Sequence, residues 1–125
     1  MRLAVLEGEF GVARLHADDP APGWAREGSI TSLTRTADEL SVVCAAEAIP
    51  AGVRAERGWR CLRVVGPLDL SLTGILASIV GPLAAAKVSV FTLSTHDTDY
   101  VLVRGQSLGT VLECLRAAGH EVIGE

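Results

Sequence analysis

The chain has 125 residues, 49% of them hydrophobic and only 4% aromatic, with a formal charge of −4. That length fits one compact unit, or two small subdomains, around an aliphatic core that needs no disulfide. The acidic balance argues against nucleic-acid partners, whose phosphates call for a basic face, and the scarcity of aromatic rings argues against base stacking.

In chain order, the opening "MRLAVLEGEFGV" lacks the long apolar core of a secretory signal. No apolar run approaches the roughly 20 residues needed to span a bilayer, so a cytoplasmic protein without membrane contact is expected. "FGVARLHA", residues 10–17, reads as a strand. "DDPAPGWAREG" holds two Pro and two Gly, which leaves room for at most one helical turn. "SITSLTR" and "ELSVVCAA" look like a hairpin joined through Thr36–Asp38. "IPAGVRAERG", with one Pro, two Gly and three charges, reads as a linker or wide turn. The predicted domains are therefore 1–57 and 58–125.

The second half is more regular. "WRCLRVVG", 59–66, reads as a strand. In "PLDLSLTGILASIVGPLAAAK", Leu72, Ile75, Leu76, Ile79, Val80 and Leu83 recur with helical spacing and form one apolar stripe. Asp69 or Ser71 can cap this helix, and Pro82 predicts a kink or early end. "VSVFTLS", 88–94, and "DYVLV", 99–103, are β-branched or aromatic and predict strands. A second helix runs through Leu108, Val111, Leu112 and Leu115, with Ser107 as N-cap and Gly119 as stop. "HEVIG" predicts a last short strand. The fold class is thus α+β: a ferredoxin-like βαββαβ unit preceded by a degenerate βαββ unit, with antiparallel sheets and helices on one face. "SLTRTADELSVVC" and "TLSTHDTDYVLV" form a weak internal repeat: strand, Thr-containing turn with an acid, strand.

Motifs for catalysis are missing. No GxSxG, HExxH, P-loop or GxGxxG pattern occurs, and His16, His96 and His120 are scattered. Cys44, Cys61 and Cys114 form no CxxC pair and sit in apolar patterns, which argues against a metal or iron–sulfur site and against a nucleophile. No cofactor is expected.

The polar block Ser94–Asp99 contrasts with its apolar flanks. It holds two carboxylates, one imidazole and three hydroxyls, more than a turn requires. A small zwitterion needs an anion site and a cation site close together. The segment leading into the first helix, through Asp69, Ser71, Leu72, Thr73 and Gly74, offers backbone N–H groups, hydroxyls and the positive end of a helix. Gly66 and Gly74 permit close backbone approach there. The block with Thr95, His96, Thr98 and Asp99 offers the carboxylate for a cationic end. Plainer readings stand beside these: Asp97 and Asp99 as turn formers, Asp69 and Ser71 as caps, His96 as a solvated turn residue, Trp24 and Trp59 as core or interface anchors.

The stretch "GPLDLSLTGILASIVGPLAAAKVSVFTLSTHDTDYVLVRGQSLGTVLECL" resembles the ACT domain family. "SLTRTADELSVVC" followed by "GWRCLRVVGPLD" resembles its two-repeat bacterial form, related to CASTOR-type arginine sensors and to the regulatory domains of aspartate kinases. The resemblance spans most of residues 10–124. It implies a regulatory protein that senses a small molecule, usually an amino acid, held where ACT units pair, with a homodimer as the expected assembly and no catalysis. It also implies that Asp99, in the position "ST-x-x-x-D" opened by Thr95, contacts the ligand's amine end, while Ser71–Gly74 hold its carboxylate. Arginine as the ligand follows from the resemblance alone. The alternative is a ligand-free oligomerisation or protein-interaction module of the same fold; a small enzyme is a distant third.

Overall fold

The computed structural model describes residues 1–66, 68 and 73–124. Its strands are β1 (Arg2–Val5), β2 (Phe10–Leu15), β3 (Ser32–Arg35), β4 (Leu40–Ala45), β5 (Ala55–Val64), β6 (Val90–Ser94), β7 (Asp99–Arg104) and β8 (Glu121–Ile123). The helices are α1 (Ile75–Ala85) and α2 (Leu108–Ala117). The chain separates into two compact units, one of Glu7–Trp59 and one of Met1–Leu6 with Arg60–Glu125.

In the unit Glu7–Trp59, β2 pairs antiparallel with β4 and with the start of β5, and β3 pairs antiparallel with β4. The segment 18–28 forms a single 3-10 turn, Gly23–Arg26, as its two prolines and two glycines predict. One sheet face carries the core: Ala13, Leu40, Val42 and Cys44, with Ala25 and Trp24 of that turn and Ile49 packed on it. The β3–β4 hairpin is closed by Thr36. Its N–H donates to the Glu39 carbonyl at 2.9 Å, and its hydroxyl oxygen accepts from the Asp38 and Glu39 N–H groups, each at 3.1 Å. The Arg57 guanidinium donates to the carbonyls of Ala46, Ile49 and Pro50, which satisfies the end of the short 3-10 turn Ala46–Ala48.

In the other unit, the order β5, α1, β6, β7, α2, β8 is the predicted ferredoxin-like succession. The sheet runs β6-β7-β5-β1-β8. Leu62 and Val64 of β5, Val101 and Val103 of β7, Ile79 and Leu83 of α1, and Val111, Leu112 and Leu115 of α2 share one core cluster. The stripes of both helices therefore pack on one sheet face, with Ile75 and Leu76 at its margin.

β5 begins at Ala55, inside the stretch expected as a linker or wide turn, and two further features differ from the sequence expectation. The opening residues, where no strand is expected, form β1, which lies between β5 and β8. It is antiparallel to β5 (Leu3↔Val64) and parallel to β8 (Leu3↔Val122), so the sheet is not wholly antiparallel. Leu3 is completely buried, and this burial fixes the strand in place. The second difference is the start of α1. Gly74, at φ +74°, occupies the N-cap without a side-chain bond. The expected caps Asp69 and Ser71, like Leu72, lie outside the described residues.

Pro82 lies inside α1, which ends one turn later. Both helices then close alike. Beyond α1, Val88 N–H bonds the Leu83 carbonyl around Lys87 at φ +61°. Beyond α2, His120 N–H bonds the Leu115 carbonyl around Gly119 at φ +94°.

If β1 belongs to this core, Leu3→Ala should cost about 2–5 kcal/mol of unfolding free energy, in line with other buried Leu truncations. Urea unfolding measures this; a loss near zero would mean that β1 contributes no core contact.

Candidate functional site

The candidate site is built where β5 ends, at the turn that joins β6 to β7. Ser94 pairs with Asp99 as the last rung of that hairpin. Thr95 then closes the turn much as Thr36 closes its own. Its N–H donates to the Thr98 carbonyl at 2.8 Å, and its hydroxyl both donates to that carbonyl at 3.1 Å and accepts from the Thr98 N–H at 3.3 Å. The parallel read in the sequence between these two hairpins is thus a parallel in hydrogen bonding.

Thr98 is the buried member of the block, 7% exposed. Its hydroxyl donates to the Val64 carbonyl, the last residue of β5, at 2.6 Å. Four residues beyond, Leu68 N–H donates to the Asp97 carbonyl at 2.7 Å, and the Leu68 side chain packs against the core cluster. Gly66 lies between these ties. A Cβ there would stand 2.9 Å from the Leu68 nitrogen and 3.2 Å from the Asp97 oxygen, so only glycine fits. The segment leaving β5 is therefore bound to the polar turn at two points.

The acids face outward from this frame. Asp99 is half-buried and accepts the Ser94 hydroxyl at 2.7 Å. His96 and Asp97 are solvent-exposed and bonded to each other, Nδ1 to Oδ1 at 3.0 Å. Thr73 and Gly74 are exposed at the start of α1. The first intrahelical bond there runs from Ser78 N–H to the Gly74 carbonyl, so the N–H groups of Ile75, Leu76 and Ala77 occupy the helix's donor-rich first turn. Thr95, His96, Thr98 and Asp99 are thus gathered in one turn, Thr73 and Gly74 sit at the helix start, and Asp69, Ser71 and Leu72 lie outside the described residues. Two contributors escaped the sequence reading. The Leu68 backbone acts through its N–H, which no residue type announces. Ser94 was read only as part of the block, although its place opposite Asp99 follows once the hairpin register is known.

The two buried cysteines are poor nucleophiles. Burial pushes the Cys61 thiol up to about 12. Burial also raises Cys44, against the opposing pull of the Arg57 guanidinium. Among the described residues, no group of three or more His, Cys, Asp or Glu could hold a metal ion, and no helix is long and apolar enough to cross a membrane.

This architecture is that of a small regulatory fold, and sequence matching agrees. Residues 54–117 match the ACT domain family, and the chain belongs to that family. Residues 8–52 match a separate N-terminal domain model. The chain is 44% identical over 59 residues to the human cytosolic arginine sensor for mTORC1 subunit 1, a match covering 46% of this chain and 18% of that protein. It therefore spans less than a fifth of the length of the curated relatives of that name. A crystal structure of an Agrobacterium tumefaciens protein superposes with a TM-score of 0.94 at 41% identity, covering 99% of this chain and 92% of that one. The regulatory subunit of aspartate kinase from Thermus flavus shares the fold at a TM-score of 0.65 and 11% identity, covering 94% and 96% of the two chains. Both functionally named relatives are described as sensor or regulatory proteins.

Thr98→Val keeps the shape and removes the hydroxyl, stranding the Val64 carbonyl. The expected cost is about 1–3 kcal/mol, seen as a lower urea midpoint with an unchanged slope. A variant as stable as the parent would show that this bond does not hold the segment.

Proposed function

We propose that the protein is an amino-acid-binding regulatory module, cytoplasmic and homodimeric, with no catalysis of its own. The observation that carries this reading is the double tie, Thr98 to Val64 and Leu68 to Asp97, which fixes the end of β5 and Leu68 against an acidic hairpin turn. Carboxylates bind well at helix N-termini, where unpaired N–H groups and the helix dipole add. Amine or guanidinium groups bind carboxylates through charge-assisted hydrogen bonds. The start of α1 with Thr73 and Gly74, together with Asp69, Ser71 and Leu72, supplies the first. Asp99, framed by Thr95, His96 and Thr98, supplies the second. Membership of the ACT family supports ligand sensing, and the likeness to a protein named as an arginine sensor supports arginine as the first ligand to test. Among the described residues β3, β6 and β8 each pair on one side only, and such open edges suit association with a second copy.

A second reading, a ligand-free interaction module, is favoured by the local satisfaction of the acids. Ser94 bonds Asp99 and His96 bonds Asp97, as in turns with no other duty.

A thermal-shift screen of the twenty amino acids separates the two. On the first reading at least one amino acid, arginine foremost, stabilises the protein, by about 2.7 kcal/mol at 100 times its dissociation constant. Asp99→Ala should then weaken that ligand about tenfold to a hundredfold, the worth of one charge-assisted hydrogen bond. If no amino acid raises the melting temperature, the interaction module is the better account; if Asp99→Ala binds like the parent, Asp99 is not the cation contact.

A further inference from the structure

The sheet of the unit Glu7–Trp59 has a second face. Ala13, Leu40, Val42 and Ala55 point into its core, so by strand alternation Arg14, Ser41 and Arg54 point the other way. Ser41 and Arg14 are directly paired across β4 and β2. Ala13 pairs with Ala55, and Arg14 N–H bonds the Arg54 carbonyl at 2.9 Å, so Arg54 lies beside Arg14 on the opposite flank. Ser41, Arg14 and Arg54 therefore make one row across three strands. Glu39, the residue just before β4, is two from Ser41, and Glu56 of β5 is two from Arg54, the residue just before that strand, so the alternation continued by one residue puts both acids on this face. All five residues, with Val12, Ala13 and Ala55, line one recess of about 190 Å³.

Two guanidiniums side by side on neighbouring strands repel each other, and like charges placed directly opposite destabilise a sheet. Arg14 is held towards the β3–β4 turn by a 2.9 Å bond to the Asp38 carbonyl, which leaves most of its five N–H donors for another acceptor. A carboxylate bridging Arg14 and Arg54 relieves the repulsion, and guanidinium forks grip it in two-point fashion. Glu39, half-buried one rung away, is placed to receive an ammonium. The volume falls below the roughly 300–1,000 Å³ of pockets for drug-sized ligands, so it suits a molecule of few heavy atoms. The larger recess of about 510 Å³ beside Glu7, Glu9 and Glu47 has no Arg or Lys in its lining and lacks this paired polarity.

We propose that the recess bounded by Arg14, Ser41, Arg54, Glu39 and Glu56 binds a free α-amino acid, its carboxylate between the two arginines and its ammonium at Glu39. This site is separate from the one at Thr95–Asp99 and does not rest on it.

The test is a nitrogen-15 NMR titration of the full chain with each of the twenty amino acids, and with acetate as a carboxylate lacking the ammonium. At least one amino acid should give saturable shifts at the Arg14, Ser41 and Arg54 amides, with acetate at least tenfold weaker. Arg54→Ala and Glu39→Gln should each weaken that response at least tenfold, while Asp99→Ala leaves it unchanged. Silence of these three amides with every amino acid overturns the proposal, whatever happens at residues 95–99. Acetate binding as tightly as the amino acid, or a response that survives both Arg54→Ala and Glu39→Gln, overturns it as well.

Discussion

One buried hydrogen bond organises the region on which the functional reading depends. The Val64 carbonyl ends β5 next to a water-poor core, where an unpaired acceptor is costly. The Thr98 hydroxyl answers it from the neighbouring hairpin. This sets where the chain leaves the sheet and brings the next residues against the turn. Gly66 then has to be glycine, and Leu68 reaches the Asp97 carbonyl. The acids exposed at the turn are thus carried on a framework that does not itself need them.

The same turn device serves both units. Thr36 and Thr95 each use one N–H and one hydroxyl to close a two-stranded hairpin, with the hydroxyl oxygen accepting backbone donors across the turn. Threonine does this well because its hydroxyl competes with the backbone for local partners, and its β-branch suits the strand it terminates. The two turns then diverge in their surroundings. After Thr36 the hairpin leads into a charged sheet face; after Thr95 it is fastened to the end of β5. A common scaffold has acquired different polar neighbourhoods, the usual way in which small folds diversify.

Much of this architecture was legible in the chain itself. Helical spacing located α1 and α2, β-branched or aromatic runs located β6 and β7, and the Pro–Gly density of 18–28 limited that stretch to one turn, whereas β5 is legible only from Trp59 because its first residues, 55–58, carry the charges and glycine of a linker. β1 was not read as a strand, and its parallel pairing to β8 is a tertiary fact. The start of α1 was placed too early because apolar spacing continues upstream through Leu72, whereas the helix begins after Gly74. For the site, side-chain chemistry identified the polar turn and its acids. Contacts made by backbone groups, Leu68 N–H above all, leave no mark in residue identity. The charged row Ser41–Arg14–Arg54 needed the strand register, which brings together residues far apart in the chain.

The account stands or falls on whether ligand binding engages the tied loop and turn. Hydrogen exchange of the Leu68 and Thr98 amides, with and without saturating arginine, tests this most directly. The Leu68 amide makes one of the ties and the Thr98 amide donates to the Thr95 hydroxyl inside the turn, so a ligand seated there should suppress their local opening and slow their exchange by about as much as it stabilises that region. Exchange at Leu68 and Thr98 that stays unchanged while arginine raises the melting temperature would place the ligand elsewhere and contradict the account.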